Sequence, residues 1–297
     1  MSSIDSSKQL VSIVMPTYNR AHMLWGAIES CLAQTWDNIE LIIVDDGSKD
    51  NTAEIVKEFV NKDSRVRYIH QENGKIPKAL NTGFRNAKGE YFTWTSDDNL
   101  MEPDMVEILV RYLINHKQVG LVYTDTMLMD KQGNTTSLSK REDPELLYDH
   151  NVVGACFMYT HKIAEAVGEY DQDLYLAEDY DYWMRIGKVA PVHYLRNVAP
   201  YRFRIHPDSL TSTRGADALL GAMHARLKHA KTFPQRNLIK CEGYHRASVA
   251  LRSISRFTQS GLYSLTALKY FPLYIPAYRN LLACCLRHTP RNNPDMH

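Results

Sequence analysis

Glu40-Leu-Ile-Ile-Val-Asp-Asp-Gly-Ser48 reads as a buried β-strand that stops abruptly at two adjacent carboxylates. Four aliphatic residues in a row, with no polar alternation, mark a strand covered on both faces. Asp45-Asp46-Gly47-Ser48 is turn chemistry. The same pattern repeats outward from this stretch. Upstream, Val11-Ser-Ile-Val-Met15 is a second buried strand, ended by Pro16. Between the two, Ala21 to Gln34 sets Met23, Leu24, Ala27, Ile28, Cys31 and Leu32 on one helical side. Downstream come a helix from about Asn51 to Val60, a strand from Val66 to His70 and a helix from Lys78 to Ala87. A fourth strand, Tyr91 to Thr95, runs into Ser96-Asp97-Asp98. Strand–helix alternation with short polar turns predicts an α/β fold, a mostly parallel central sheet flanked by helices. Beyond Pro103 the pattern gives a helix (about Asp104 to Asn115), a strand (Gly120 to Thr124) and an irregular polar stretch from Asp130 to Pro144.

The chain has 297 residues, 44% hydrophobic and 23% charged, which excludes a disordered or fibrous protein. A chain of this size hides about three quarters of its unfolded surface, so it needs no staples. Five cysteines without CxxC spacing give neither a disulfide framework nor a zinc site. Residues 1–10 lack the cationic and apolar regions of a signal peptide, and no run approaches 18 apolar residues. The expected location is the cytoplasm. The formal charge of +1 argues against a nucleic-acid partner, yet the charge is unevenly spread. Residues 1–216 carry 23 basic and 31 acidic side chains, whereas residues 217–297 carry 12 basic and 3 acidic ones. We read 1–216 as one domain and 217–297 as a basic, Tyr-rich helical extension.

In an open parallel sheet, ligands bind beyond the carboxyl ends of the strands. Those ends carry Pro16-Thr17-Tyr18-Asn19-Arg20, Asp45-Asp46-Gly47-Ser48 and Ser96-Asp97-Asp98-Asn99. Any one cluster is explained by turn chemistry. Three on one edge, two with adjacent aspartates, call for a compensating cation, because paired carboxylates repel. Mg²⁺ or Mn²⁺, shared with substrate phosphates, is the economical choice. No GxxxxGK[ST] or GxGxxG follows a strand, which removes the glycine-cradle readings.

Val11–Arg20, Leu41–Ser48, Asn81-Thr-Gly83, Ala87-Lys-Gly-Glu-Tyr91 and Ser96-Asp-Asp98, in this order, resemble the family 2 glycosyltransferases over about residues 10–215. The resemblance implies a GT-A fold in 1–216, with nucleotide-sugar-binding and acceptor parts, and an inverting enzyme using a nucleotide-diphosphate sugar, UDP-linked by preference. By the same resemblance, Pro16, Thr17 and Tyr18 border the base and Asp45 accepts from the uracil N3–H. Asp46 and Ser96 join the donor-binding set, and Arg20 contacts the base or phosphates. Asp98 is the direct metal ligand, and Asp97 serves the ribose or donor sugar. Thr95 stands where relatives commonly carry another Asp, and Leu80 where many carry an Arg. Lys75 or Lys78 is the candidate replacement for that Arg, with solvated lysines as the alternative.

Inverting transfer needs a base for the acceptor hydroxyl. Glu178-Asp179-Tyr180-Asp181 opens a helical pattern continued by Tyr182, Trp183 and Ile186. Carboxylates there also favour the helix N-terminus, worth about 0.3–1 kcal/mol each. By family position Asp179 is the base, Glu178 a donor-sugar or acceptor contact and Asp181 a cap or ion-pair residue; Trp183 reads as core. The resemblance further implies that Gly154 lets the donor sugar approach the backbone and that His206 ligates the metal or touches the diphosphate. Arg204 or Arg214 would neutralise the leaving group, with residues 211–214 as a lid. The acceptor would be a glycan or glycolipid.

In the extension, Ala247, Ala250, Leu251, Ile254 and Phe257 share a helical face, and Leu262 to Leu286 is rich in Leu and Tyr and interrupted by Pro272 and Pro276. Packing on the catalytic domain, a homodimer contact, and a seat on the inner face of an anionic membrane all fit this composition. Two rival functions remain at this point. One is a nucleotidyltransferase, which would want a Gly-rich basic loop after the first strand. The other is a non-catalytic sugar-nucleotide-binding scaffold, which would not need Asp98 and Asp179.

Overall fold

The computed structural model describes residues 9–229, 236–253, 256–270 and 274–285. Ile254, Pro272 and Leu286, placed in the extension by sequence, lie outside them, as does the N-terminal stretch 1–8. The chain gathers into two units. One runs to Leu147 and takes in Asn151–Asp173 and Tyr182–His206. The other comprises Tyr148–His150, Leu174–Asp181 and the chain from Pro207 onward. The boundary read from composition, 216/217, falls inside this second unit.

The first unit opens with β1 (Val11–Thr17), α1 (Ala21–Leu32), β2 (Ile39–Asp45), α2 (Thr52–Lys62), β3 (Val66–His70), α3 (Lys75–Arg85) and β4 (Tyr91–Trp94). It continues with β5 (Leu100–Met101), α4 (Met105–Asn115), β6 (Leu121–Thr124), β7 (Thr126–Met129), β8 (Thr135–Ser139), β9 (Phe157–Thr160) and α5 (His161–Val167). Helix α6 (Glu178–Gly187) has its first turn in the second unit and its remainder in the first. Strands β10 (Val192–Leu195) and β11 (Tyr201–Arg204) complete the first unit.

Seven strands form one sheet in the order β10-β6-β9-β4-β1-β2-β3, with β9 the antiparallel member. All seven residues of β2 are buried, as its unbroken aliphatic run requires. The order β3-β2-β1-β4 reverses between β1 and β4, so the switch-point crevice opens beyond Thr17 and Trp94. A second sheet, β5-β11-β7-β8, is short and mixed.

Three expectations about elements are corrected. Pro16 does not end β1, which pairs with β2 through Pro16↔Val44 and Thr17↔Asp45. The Val14 carbonyl accepts from Thr95 N–H, so Pro16, two residues on, turns its missing N–H to the same side. Pairing with β4 has already stopped at Trp94, and no bond is lost there. The stretch 130–144 is not wholly irregular. It holds β8, an exposed edge strand with no apolar alternation to reveal it. Finally, α3 starts at Lys75 rather than Lys78, since Pro77 is tolerated in a first helical turn.

The motif Asn81-Thr-Gly83 is architectural. Asn81 donates to the Tyr170 carbonyl and accepts from the Tyr170 N–H, both at 2.8 Å. Gly83 lets α3 lie directly on β1, where an added Cβ would sit 2.4 Å from Val14 Cγ1. Gly83→Ala should therefore overpack this contact and cost about 1–3 kcal/mol, read as a lower urea midpoint. An unchanged midpoint would show that the helix can back away.

Candidate active site

The second strand end is held by hydrogen bonds. Asp45, almost fully buried, accepts from Ser48 N–H (2.8 Å) and Tyr68 Oη (2.6 Å), and His70 Nδ1 lies 3.2 Å away. Burial pushes its carboxyl up, but the donors from Tyr68, Ser48 and His70 outweigh burial and hold it below the usual range. Two of these partners sit on β3, whose register puts His70 beside Asp45 and Tyr68 two residues earlier. The sequence reading missed both. Their polar tips at i and i+2 on a strand were the available signal.

Asp46 fastens the neighbouring loop, taking Gln71 Nε2 (2.7 Å) and Gly74 N–H (2.9 Å) on one oxygen. Gly47 has φ +85°, and a Cβ there would meet Asn73 N at 3.1 Å, so the two loops pack backbone to backbone. Lys78 folds its alkyl stem over Gly74, while Lys75 is exposed with φ +67° at the start of α3. At the first strand end Thr17 is buried, Tyr18 is exposed and Arg20 is partly exposed at the start of α1.

Asp97 lies at the switch point. Burial and the neighbouring Asp98 charge push it up to about 7, against the Thr17 hydroxyl, the Arg20 charge and the Tyr18 N–H. Ser96, beside it, is partly exposed. Thr95 points into the interior and shares a 2.8 Å hydrogen bond with Tyr201 Oη, so this chain has no carboxylate at that position to offer.

The second sheet brings Asp98 to His206. Strands β5 and β11 pair antiparallel with Leu100↔Arg202 and Met101↔Tyr201. Continuing that register sets residue 98 opposite residue 204, and His206 Nε2 lies 3.1 Å from Asp98 Oδ2. The His206 side chain is fully buried, and its Nδ1 has no hydrogen-bond partner. Arg204 is a strut. Its Nε donates to the Asp98 carbonyl (2.7 Å), its Nη1 to the Lys131 carbonyl (2.9 Å), and its own N–H to Asn99 Oδ1 (2.8 Å). Its Nε and Nη1 are thus engaged by main chain, beside the expected role of its charge toward the leaving group.

A carboxylate and an imidazole 3.1 Å apart are too few for a protein-only metal cage. Among the described residues no group of three or more His, Cys, Asp or Glu stands ready to hold a metal. Two donors do suit a divalent cation whose remaining ligands are substrate phosphates and water. Gly154, with φ +70°, faces Arg141, whose Nη1 would lie 2.7 Å from an added Cβ. The space over this glycine thus holds a guanidinium, which sequence did not anticipate.

The second unit carries the other candidates. Leu176, two residues before α6, is in the left-handed region (φ +73°). Glu178, Asp179 and Asp181 then fill the first turn of that helix. Burial and the Asp179 charge push Glu178 up to about 8, and its Oε2 has no hydrogen-bond partner. Asp179 is partly exposed. In this unit, α7 (Leu210–Thr213) is capped by Ser209, and α8 (Gly215–His229) follows.

Helix α8 holds the start of α6. Fully buried Asp181 accepts from Lys228 Nζ (2.9 Å), and His229 Nε2 lies 2.8 Å from the same oxygen. Gly221 lets α8 approach Ala177, whose Cβ would be 3.1 Å from an added Cβ. The ion-pair role expected for Asp181 is thus filled by residues that sequence had placed in a separate extension. Arg214 pairs with Asp217 at 3.0 Å and lies over the Tyr175 ring. Trp183 is fully buried in the first unit, packed on Phe157.

The model of the family described as glycosyl transferase family 2 matches residues 12–168. An uncharacterized glycosyltransferase of Rickettsia felis is 35% identical over 197 residues, covering 62% of this chain and 32% of the relative. The chain therefore spans about a third of that relative's length. Among solved structures, S. aureus TarS 1–349 in complex with UDP-GlcNAc has a TM-score of 0.61 at 18% identity, over 94% of this chain and 81% of that one. Mannosyltransferase PcManGT from Pyrobaculum calidifontis, in complex with GDP-Man and Mn2+, has a TM-score of 0.61 at 17% identity, over 93% and 86%. These likenesses bear out the GT-A fold. With more than half of its residues matched by the family model, the chain belongs to glycosyl transferase family 2.

Proposed function

We propose that the chain moves a sugar from a UDP-linked donor, with inversion, to a hydroxyl of a glycan or lipid-linked glycan, and that it needs a divalent cation. The observation that carries this reading is the Asp98–His206 pair at the switch-point edge of the sheet. The UDP-GlcNAc and GDP-Man/Mn2+ complexes of the structural neighbours support it. Asp98 and His206 would hold Mn²⁺ or Mg²⁺, and the imidazole favours the transition metal. When bound, the cation supplies charge neutralisation for the departing diphosphate.

The chain's own residues would do the rest. Pro16, Thr17 and Tyr18 border the base, with Arg20 near the base or phosphates. Asp45, whose carboxyl is held below the usual range by its donors, is the acceptor for the imide N–H. Asp46 keeps the adjoining loop in place, and Lys75 or Lys78 reaches over it. Ser96 and Asp97 serve the ribose or donor sugar, and the Gly154 segment lines the sugar pocket. Arg204 or Arg214 supplies positive charge toward the leaving group. Asp179 takes the proton from the acceptor hydroxyl, while Glu178, protonated at neutral pH, donates a hydrogen bond to donor or acceptor. The reaction is placed on the cytoplasmic side, at the inner face of the cell membrane.

Three outcomes test this reading. UDP-sugars should raise the melting temperature more with Mn²⁺ than with EDTA, and no shift with any nucleotide sugar would overturn the proposal. Asp98→Asn and His206→Ala should each weaken Mn²⁺ binding by more than about a hundredfold in calorimetric titration, beyond the roughly 10–100-fold loss of an outer-shell partner, and a smaller loss would reject that residue as a direct ligand. Asp179→Asn should keep donor binding and lower kcat by about 10²–10⁴-fold, and near-normal turnover would reject it as the base.

Glu178 gives the pH test. Its folded value, about 8, lies above the ordinary 4.5, so between those pH values the folded state holds a proton that the unfolded chain has lost. Stability contributed by this group is therefore complete below about pH 4.5 and declines as pH rises toward 8. Glu178→Gln should flatten that decline in urea titrations at pH 5, 6, 7 and 8. An unaltered slope would show that Glu178 is charged when folded.

A further inference from the structure

The second unit continues with α9 (Arg236–Ser253), α10 (Phe257–Tyr270) and α11 (Ile275–Cys285). On α10 and α11 the polarity is inverted. On α10 the buried positions are Ser260, Ser264 and Ala267, at spacing i, i+4, i+7. On α11 they are Ala277, Asn280 and Cys284, at i, i+3, i+7. Ser248 of α9 is also fully buried. It shares a 2.6 Å hydrogen bond with Ser264 Oγ and donates to the Ser260 carbonyl at 2.9 Å. Asn280 Nδ2 donates to Ser264 Oγ at 3.1 Å and also to Ser248 Oγ.

Large apolar side chains take the opposite faces. Leu262 and Leu265 of α10 are 63% and 54% exposed. Ile275, Tyr278 and Leu282 of α11, at i, i+3, i+7, are 62%, 51% and 63% exposed. Water drives the reverse arrangement, with leucine in and serine out. Helices that meet through small residues and interhelical hydroxyl or amide bonds, and turn leucine outward, have the pattern of helices in contact with lipid. Among the described residues no helix is long and apolar enough to cross a membrane. At 1.5 Å per residue, the 14 residues of α10 span about 21 Å, short of the roughly 30 Å hydrocarbon core. Such helices would have to lie in the plane of the interface.

Charge selects the occupant. Residues 217–297 hold 12 basic and 3 acidic side chains. Lys269 and Arg279 are exposed on α10 and α11, and residues 256–285 hold no Asp or Glu. A second copy would present like charge to this surface, whereas acidic headgroups complement it. We propose that α10 and α11 seat the protein on an anionic lipid bilayer. Leu262, Leu265, Ile275, Tyr278 and Leu282 enter the interfacial layer, and Lys269 and Arg279 pair with acidic headgroups. The proposal holds whatever sugar the enzyme transfers.

Flotation of the full chain with lipid vesicles tests it. The protein should float with vesicles of phosphatidylcholine and phosphatidylglycerol, and far less with phosphatidylcholine alone. Leu265→Gln/Leu282→Gln should abolish flotation. Lys269→Glu/Arg279→Glu should weaken partitioning by at least about thirty-fold, from about 1 kcal/mol for each lost basic residue. Both variants change exposed side chains, and a UDP-sugar melting shift equal to that of the parent would show that they are folded and bind donor. Failure of the donor shift in the parent chain sinks the proposed function and leaves the flotation result standing. A parent chain that stays with the soluble fraction overturns the lipid seat. So does a dimer in light scattering that Leu265→Gln/Leu282→Gln converts to monomer, which would give this face to a second copy.

Discussion

A carboxylate withdrawn from water must be met by donors or by a cation, and this requirement organises both units. The chain meets it differently at each strand or helix end. Asp45 is surrounded by donors from its own turn and from β3. Asp46 is satisfied by the next loop. Asp181 takes a lysine and a histidine from α8. At Asp97 and Glu178 burial and a neighbouring carboxylate outweigh the donors, and each moves toward its neutral form instead. These two groups are the sequence neighbours of the proposed metal ligand, Asp98, and the proposed base, Asp179. Asp45, Asp46 and Asp181 are held by donors, whereas Asp97 and Glu178 are perturbed toward neutrality beside the residues proposed to react.

The small second sheet is what makes Asp98 more than a turn residue. Two antiparallel pairs between β5 and β11 are enough to fix which residue faces which. Arg204 then ties the main chain at 98, the side chain of Asn99 and the loop at 131 into one frame. A guanidinium that gives its Nε and Nη1 to carbonyls works as a rigid spacer, and its planar fork suits that purpose better than a lysine would.

Elements were legible in the sequence where the signal is local. Strand β2 follows from its unbroken aliphatic run, closed within a few positions by turn residues. Strand β8 was not, because an exposed edge needs no apolar pattern. The reach of β1 through Pro16 was hidden because it depends on where a neighbouring strand stops. Partnerships across long separations were the least visible. Arg204 lies more than a hundred residues from Asp98, and Lys228 and His229 act on a helix that sequence assigned to another domain. Motif order gave the family correctly, but the same motifs contain structural members, such as Asn81 and Gly83, that no spacing rule separates from functional ones.

The serine-lined meeting of α9, α10 and α11 has a calorimetric consequence. Unfolding raises heat capacity in proportion to newly wetted apolar surface, and newly wetted polar surface lowers it. Helices joined through Ser248, Ser260, Ser264 and Asn280 have already exposed much of their aliphatic area while folded. Their melting in water should leave a small heat-capacity step, with a shallow dependence on temperature. The aliphatic sheet, by contrast, should supply most of the step and most of the curvature in stability. Two parts of one polypeptide would then respond to cold in opposite degrees.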